Sequence, residues 1–279
     1  MMRNAKFVAR AAVIVCALVG VAAASAADLP ARTYTKAPVY VEPGFNWSGF
    51  YLGGNIGYSW GSSSNSETIS RLNTGVALAT GTARNDVNGV IGGGQVGYNW
   101  QMSAWLLGLE ADIQGSGERG SSAFTCVACA DVGTNITSVL TQKLDWFGTA
   151  RGRAGVLVSP TVLLYATGGL AYGEFATGGS ITGNGPGGAN VTTVFPGTSS
   201  TRAGWTAGAG IEGRISGNWP AKLEYLYMDL GTVSAGPIAT TILVPVRTAG
   251  AASYSSHFTD NILRVGVNYI FNATVVAKY

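Results

Sequence analysis

WSGFYLGGNIGYSW, residues 47–60, packs five aromatic side chains and four glycines into fourteen positions without a charge. Splitting it by parity separates two rows. Ser48, Phe50, Leu52, Gly54, Ile56, Tyr58 and Trp60 make the even row, which is oily and ends in aromatics. Trp47, Gly49, Tyr51, Gly53, Asn55, Gly57 and Ser59 make the odd row, which is mostly small or polar. Side chains of a strand alternate between two faces, so this period of two predicts a strand with one apolar and one polar face.

The pattern recurs. VNGVIGGGQVGYNWQ (87–101), AWLLGLEADIQ (104–114), QKLDWFGTARGRAGVLV (142–158) and TVLLYATGGLAYGEF (161–175) repeat it. RAGWTAGAGIEGRIS (202–216), AKLEYLYMDLG (221–231) and HFTDNILRVGVNYIF (257–271) complete eight segments. Their connections alternate in length. Short ones fall at 102–103, 159–160 and 217–220; long ones rich in Gly, Ser and Thr occupy 61–86, 115–141, 176–201 and 232–256. The long stretches contain β-forming residues that could extend the hairpins. A membrane-crossing strand needs about 9–11 residues. Sorted short turns and long loops are the mark of a barrel that crosses an outer membrane, with its turns in the periplasm.

The faces support that reading. Trp105, Leu107, Leu109, Ala111 and Ile113 share one side of a segment; Leu263, Val265, Val267, Tyr269 and Phe271 share one side of another. The opposite rows hold the charges. A soluble barrel would turn the oily row inward, whereas a membrane barrel inverts the order. The predicted fold is therefore all-β: an eight-stranded antiparallel up-and-down transmembrane barrel, with long extracellular loops and short periplasmic turns. A lumen charge network of Glu110, Asp112, Arg151, Arg153, Glu212, Arg214, Lys222, Glu224 and Arg264 is expected to pair internally and plug the narrow interior. Trp47, Phe50, Tyr58, Trp60, Tyr98, Trp100, Trp105, Tyr269 and Phe271 are expected to form the aromatic girdles at the lipid–water boundaries.

The ends of the chain fit export. Residues 1–26 read as a signal peptide: basic Arg3, Lys6 and Arg10, the apolar run 11–24, and small residues before a cut after Ala26, with Ala27 as the near alternative. That segment holds three of the 17 basic residues and none of the 14 acidic ones, so the remainder is balanced and gives no support to nucleic-acid binding. Charged residues make up only 11% of the chain, against about 25% in soluble domains. Residues 27–46, with Pro30, Pro38 and Pro43, read as a periplasmic tether. The barrel then spans 47–271, and 272–279 form a short tail.

Chemistry-bearing residues are few. Cys126 and Cys129, in CVAC, are expected to form a loop disulfide in an oxidising compartment, with free thiols as the alternative. Two cysteines without a nearby histidine do not make a metal site. His257, the single histidine, sits with Ser255 on one strand face, which would suit a rim hydrolase; a plain rim residue is the simpler reading. The glycines of GVIGGGQVG (89–97) open no helix, which argues against dinucleotide binding. No cofactor is expected.

The segments WSGFYLGGNIGYSWG, LDWFGTARGRAG, LLYATGGLAYG, GWTAGAGIEGRIS, LEYLYMDLG and NILRVGVNYIF, in this order, resemble the small outer-membrane β-barrel proteins of alphaproteobacteria. That surface-antigen and porin-like group is related to the OmpA-type transmembrane domain. The resemblance implies insertion by the outer-membrane assembly machinery, contact with outer-membrane lipid and lipopolysaccharide, an envelope-structural role and a possible extracellular ligand at the loops. Family members usually end on the aromatic of strand eight, whereas here NATVVAKY follows Phe271. The leading functional reading is a non-enzymatic outer-membrane protein serving envelope structure and surface interactions. A narrow porin for small solutes and an outer-membrane lipid hydrolase are the alternatives.

Overall fold

The computed structural model describes residues 45–127, 135–185, 190–244 and 246–271. Eight strands close on themselves: β1 (Gly49–Arg71), β2 (Ala77–Met102), β3 (Trp105–Cys126), β4 (Asn135–Ser159), β5 (Val162–Asn184), β6 (Asn190–Ser216), β7 (Trp219–Val244) and β8 (Val246–Phe271). Every neighbour is antiparallel, and β1 meets β8 from Phe50↔Phe271 up to Arg71↔Gly250. Closure leaves no edge strand, which a barrel needs in lipid because an unpaired backbone group there has no water to bond. The proposed signal peptide, most of the tether and the 272–279 tail lie outside the described residues.

The strands run well beyond the membrane. β1 has 23 residues, roughly 75 Å of strand, against the ~25 Å apolar band of such barrels. The stretches read as long loops are mostly strand: β1 and β2, for example, are joined only by residues 72–76. The alternation in 61–86 is carried by Ser, Asn and Thr rather than by oily residues, so hydrophobicity alone hides it.

Outward positions are apolar over the lower half. Leu52, Ile56, Leu109, Ile113, Leu170 and Val265 are all more than half exposed. Such a belt in water would be an aggregation surface, and in lipid it is the solvated face.

The interior is filled in layers, and β8 runs through them in order. At the periplasmic mouth Ile270 packs with Trp47, Tyr51, Leu106, Leu163 and Tyr165. Above it lie Asn268 and Arg264, which belong to the charge network. A second apolar layer follows, with Ile262 and Phe258 against Val87, Phe147, Phe175, Leu226 and Met228. Ser256 then joins Ser63, Asn65 and Gln142 in a hydrogen-bonded layer. Ala252 tops the stack with Ile69, Ile136, Leu140 and Ile181. Glycine is required where inward rings press on the wall. A Cβ on Gly97 would lie 2.4 Å from the Tyr51 ring, and one on Gly210 would lie 2.6 Å from the Tyr165 ring.

Candidate functional site: the plugged lumen and the outer rim

Three cross-strand ladders set acid directly opposite base: Glu110↔Arg151, Glu212↔Lys222 and Glu224↔Arg264. All six side chains point inward, and the small bore draws them into one cluster with Asp112 and Arg153. Arg151 donates to Asp112 at 2.9 Å, to Glu224 at 3.2 Å and to Glu110. Arg264 donates to Glu224 at 2.7 Å and to Asp112 at 2.9 Å. Lys222 crosses the lumen to both Glu110 oxygens at 3.0 Å. Arg153 bonds Glu212 at 2.6 Å and the Tyr51 hydroxyl at 2.9 Å, and lies 4.1 Å from the Tyr165 ring centre. Each of these eight charged residues is nearly inaccessible to solvent. Charge-assisted bonds of this kind are short and strong, and a buried carboxylate without them would be costly.

Two residues stand elsewhere than expected. Arg214 is exposed at the periplasmic rim, where it donates to the Gly217 carbonyl at 2.9 Å and lies 5.0 Å from the Phe45 ring. Its parity is that of the lumen row, but its height is past the end of the barrel, where that row opens to water. Without it the cluster holds Glu110, Asp112, Glu212 and Glu224 against Arg151, Arg153, Lys222 and Arg264, and its charges cancel. Trp47 is fully buried and belongs to the lower plug, not to the girdle; its backbone N–H donates to Gln101 at 2.8 Å and its ring N–H to the Pro160 carbonyl at 3.3 Å. Being on the odd row, it follows its parity rather than its aromatic type.

The other girdle residues face outward. Phe50, Tyr269 and Phe271 cluster at the lower edge with Trp219. Tyr98 packs on Trp100 at 4.8 Å between ring centres, and Trp105 stands exposed beside them in sequence. Trp60 faces Tyr225 at the upper edge, and Tyr58 is exposed below it. Trp146, Tyr172, Trp205 and Tyr227 continue the upper ring.

Sequence reading missed several lumen partners. Tyr51 donates to Glu110 at 2.7 Å, Tyr165 to Glu224 at 2.9 Å, Thr149 to Asp112 at 2.8 Å and Asn268 to Glu212 at 2.8 Å. Thr149 shares the odd row of Arg151 and Arg153, and Asn268 the even row of Arg264; Tyr51 and Tyr165 stand on inward rows of β1 and β5 that carry no charge of the network, so only their place opposite an oily row could have found them. Above the network Glu118 and Asp260 are buried without a cation partner among the described residues: Ser116 donates to Glu118 at 3.1 Å, and Ser59 and the Asn261 backbone N–H donate to Asp260.

At the rim His257 is 3.1 Å from the Thr232 hydroxyl through Nδ1 and 3.6 Å from Asp229 through Nε2. Ser255 bonds Ser234 at 3.4 Å instead of His257. Cys126 is disulfide-bonded; Cys129, its expected partner, lies outside the described residues. Among the described residues no three His, Cys, Asp or Glu side chains converge as a metal site.

A closed antiparallel barrel with an oily outside and a charged inside defines a class, the outer-membrane β-barrels. The model of the outer membrane protein beta-barrel domain family matches residues 14–271, and the chain belongs to that family. It is 32% identical over 244 residues to the 31 kDa outer-membrane immunogenic protein of Brucella melitensis, covering 85% of this chain and 88% of the relative. It is 32% identical to the 22 kDa outer membrane protein of Rhizobium leguminosarum, covering 68% of this chain and 67% of that one. Among solved structures, OprG from Pseudomonas aeruginosa aligns over 80% of this chain and 97% of its own, at 11% identity and a TM-score of 0.41. The protein resides in the outer membrane of a Gram-negative bacterium, as its relatives do.

Proposed function

We propose that this is a non-enzymatic barrel that stiffens the outer membrane and presents four strand-built hairpins outside the cell. One observation carries the reading: the bore is occupied along its length by alternating apolar and hydrogen-bonded layers, with a charge-neutral ion-pair cluster at the level of the bilayer. An eight-stranded barrel has room only for its own side chains. A solute would have to displace both the cluster and the phenylalanine layer. The narrow-porin reading is correspondingly weaker. A rim hydrolase has the His257–Asp229–Thr232 contacts in its favour, but Ser255, the expected nucleophile, is turned to Ser234. Purified protein in planar bilayers is expected to show no steady channel. Reproducible nanosiemens-scale openings, absent from a boiled sample, would overturn the plug.

A further inference from the structure

In the lumen, opposed charges are always of opposite sign. On the outer face the reverse occurs once. Arg119 of β3 sits directly across the ladder from Lys143 of β4, the one directly opposed pair of like charges in the described strand pairings. Both side chains point outward and are exposed. Like charges so placed repel each other, and a barrel wall offers many neutral alternatives. Lys143 is held by Asp145 at 3.0 Å. Arg119 has no ion-pair or hydrogen-bond partner among the described residues.

Height fixes the surroundings of this pair. Lys143 lies three residues above Trp146, a member of the upper girdle. Asp145 is taken up by a one-residue bulge between Leu144 and Trp146, and the remaining two residues of strand, tilted by roughly 40°, rise about 5 Å. The polar head-group layer over the hydrocarbon is roughly 5–8 Å deep on each side. The two cations therefore stand at head-group depth in the outer leaflet.

They also form the foot of a groove. A depression of about 790 Å³ runs upward from Arg119 and Lys143 past Thr141, Gly178, Val194 and Gly197. Its floor is hollow for a backbone reason: β5 shifts register against β6 between Thr177 and Gly179, and the two glycines lie so close that a Cβ on Gly178 would come within 3.1 Å of Gly197. The register shift and the missing side chains deepen the wall at this point.

We propose that Arg119 and Lys143 clamp a phosphate of an outer-leaflet glycolipid, whose saccharide head lies in the groove above. The guanidinium and ammonium supply charge-assisted donors to phosphate oxygens. Asp145 already neutralises part of Lys143, and the anion offsets the repulsion that remains, chiefly at Arg119. The acyl chains descend over the girdle into the leaflet the barrel already occupies. The clamp lies on the outer wall and does not depend on the bore being closed.

The test uses the full chain folded in phosphatidylcholine vesicles doped with diphosphorylated lipid A. After extraction into mild detergent, native mass spectrometry counts the lipid A that stays bound. Heat-modifiable gel mobility verifies that each variant is folded. Retention is expected to fall about tenfold in the Arg119→Gln, Lys143→Gln double variant. It should fall partly in Arg119→Gln alone, which decides the matter if the double variant does not fold. Arg84→Gln, which removes another exposed basic group, should retain lipid A as the parent does. Fully dephosphorylated lipid A should be held equally by parent and double variant. Unchanged retention in the variants, an equal loss in Arg84→Gln, or full displacement of lipid A by millimolar inorganic phosphate would each overturn the assignment.

Discussion

The bilayer-level lumen and the lumen just above it solve the same problem in opposite ways. In the lower region four carboxylates meet four cations, and every acid has at least one guanidinium or ammonium partner. In the upper region the buried carboxyls Glu118 and Asp260 have serine partners, and an apolar layer packs beside them. A barrel at bilayer depth has no water around its wall, so an inward charge can be stabilised only by another inward charge. Level with the upper girdle, where Asp260 stands beside Trp60, the wall borders the polar head groups, and the bore is filled with hydroxyls, amides and phenyl rings instead. The lower region is thus a cluster whose members depend on one another, whereas the upper region is a stack of replaceable parts.

Removing a cation from the lower cluster should show the largest effect. Arg264→Met leaves Asp112 and Glu224 short of a partner, and breaking a buried pair from one side costs about 3–5 kcal/mol. Urea unfolding in vesicles, followed by tryptophan fluorescence, should register a loss of that size. A loss below about 1 kcal/mol would mean that the cluster is not interdependent.

Asp260→Asn is the matching change in the upper region. No cation loses its partner, and the amide oxygen still accepts from Ser59. The same unfolding assay should move by less than about 1 kcal/mol, as for a substitution that strands no charge. A loss as large as that of Arg264→Met would erase the contrast between the two regions.

The smallest effect is expected higher still, at Glu67, in the part of β1 that stands outside the membrane. Burial pushes its carboxyl above the usual carboxylate range, against the opposing pull of the Ser138 hydroxyl that donates to it at 2.9 Å. A carboxyl raised on folding holds its proton more tightly in the folded state. Its contribution is therefore most favourable at low pH and declines as pH rises through the ordinary carboxylate range and past the raised value. Glu67→Gln should slow proteolytic nicking of the hairpins above about pH 5 and make no difference at pH 4. A benefit that grew on acidification would reverse the sign and refute the argument.

How far residues alone could lead is clearest where local alternation met a break in it. The wall of the lower barrel was legible because a period of two is a local property. Leu107, Leu109 and Ile113 face lipid and Glu110 and Asp112 face the bore, as their parity requires. Arg214 was misplaced because parity gives a face but not a height. Trp47 is aromatic like the girdle residues but sits on the inward row, and parity rather than residue type decides its face. The apolar layers escaped notice for another reason. β4 slips register between Leu144 and Trp146, so even-numbered Gln142 and Leu144 and odd-numbered Phe147 and Arg151 all point inward. A bulge of one residue inverts the rows, and nothing in the one-dimensional pattern marks where it falls.

Sequence by itself determined that the chain closes into an eight-stranded barrel with its oily side outward, because alternation and turn spacing act between near neighbours. Tertiary structure decided which charges meet. Lys222 bypasses the acid opposite it on β6 and reaches Glu110 across the bore, and Arg119 is set beside Lys143 on the outer wall. Those pairings depend on register and on the diameter of the closed ring, and both quantities exist only once all eight strands are in place.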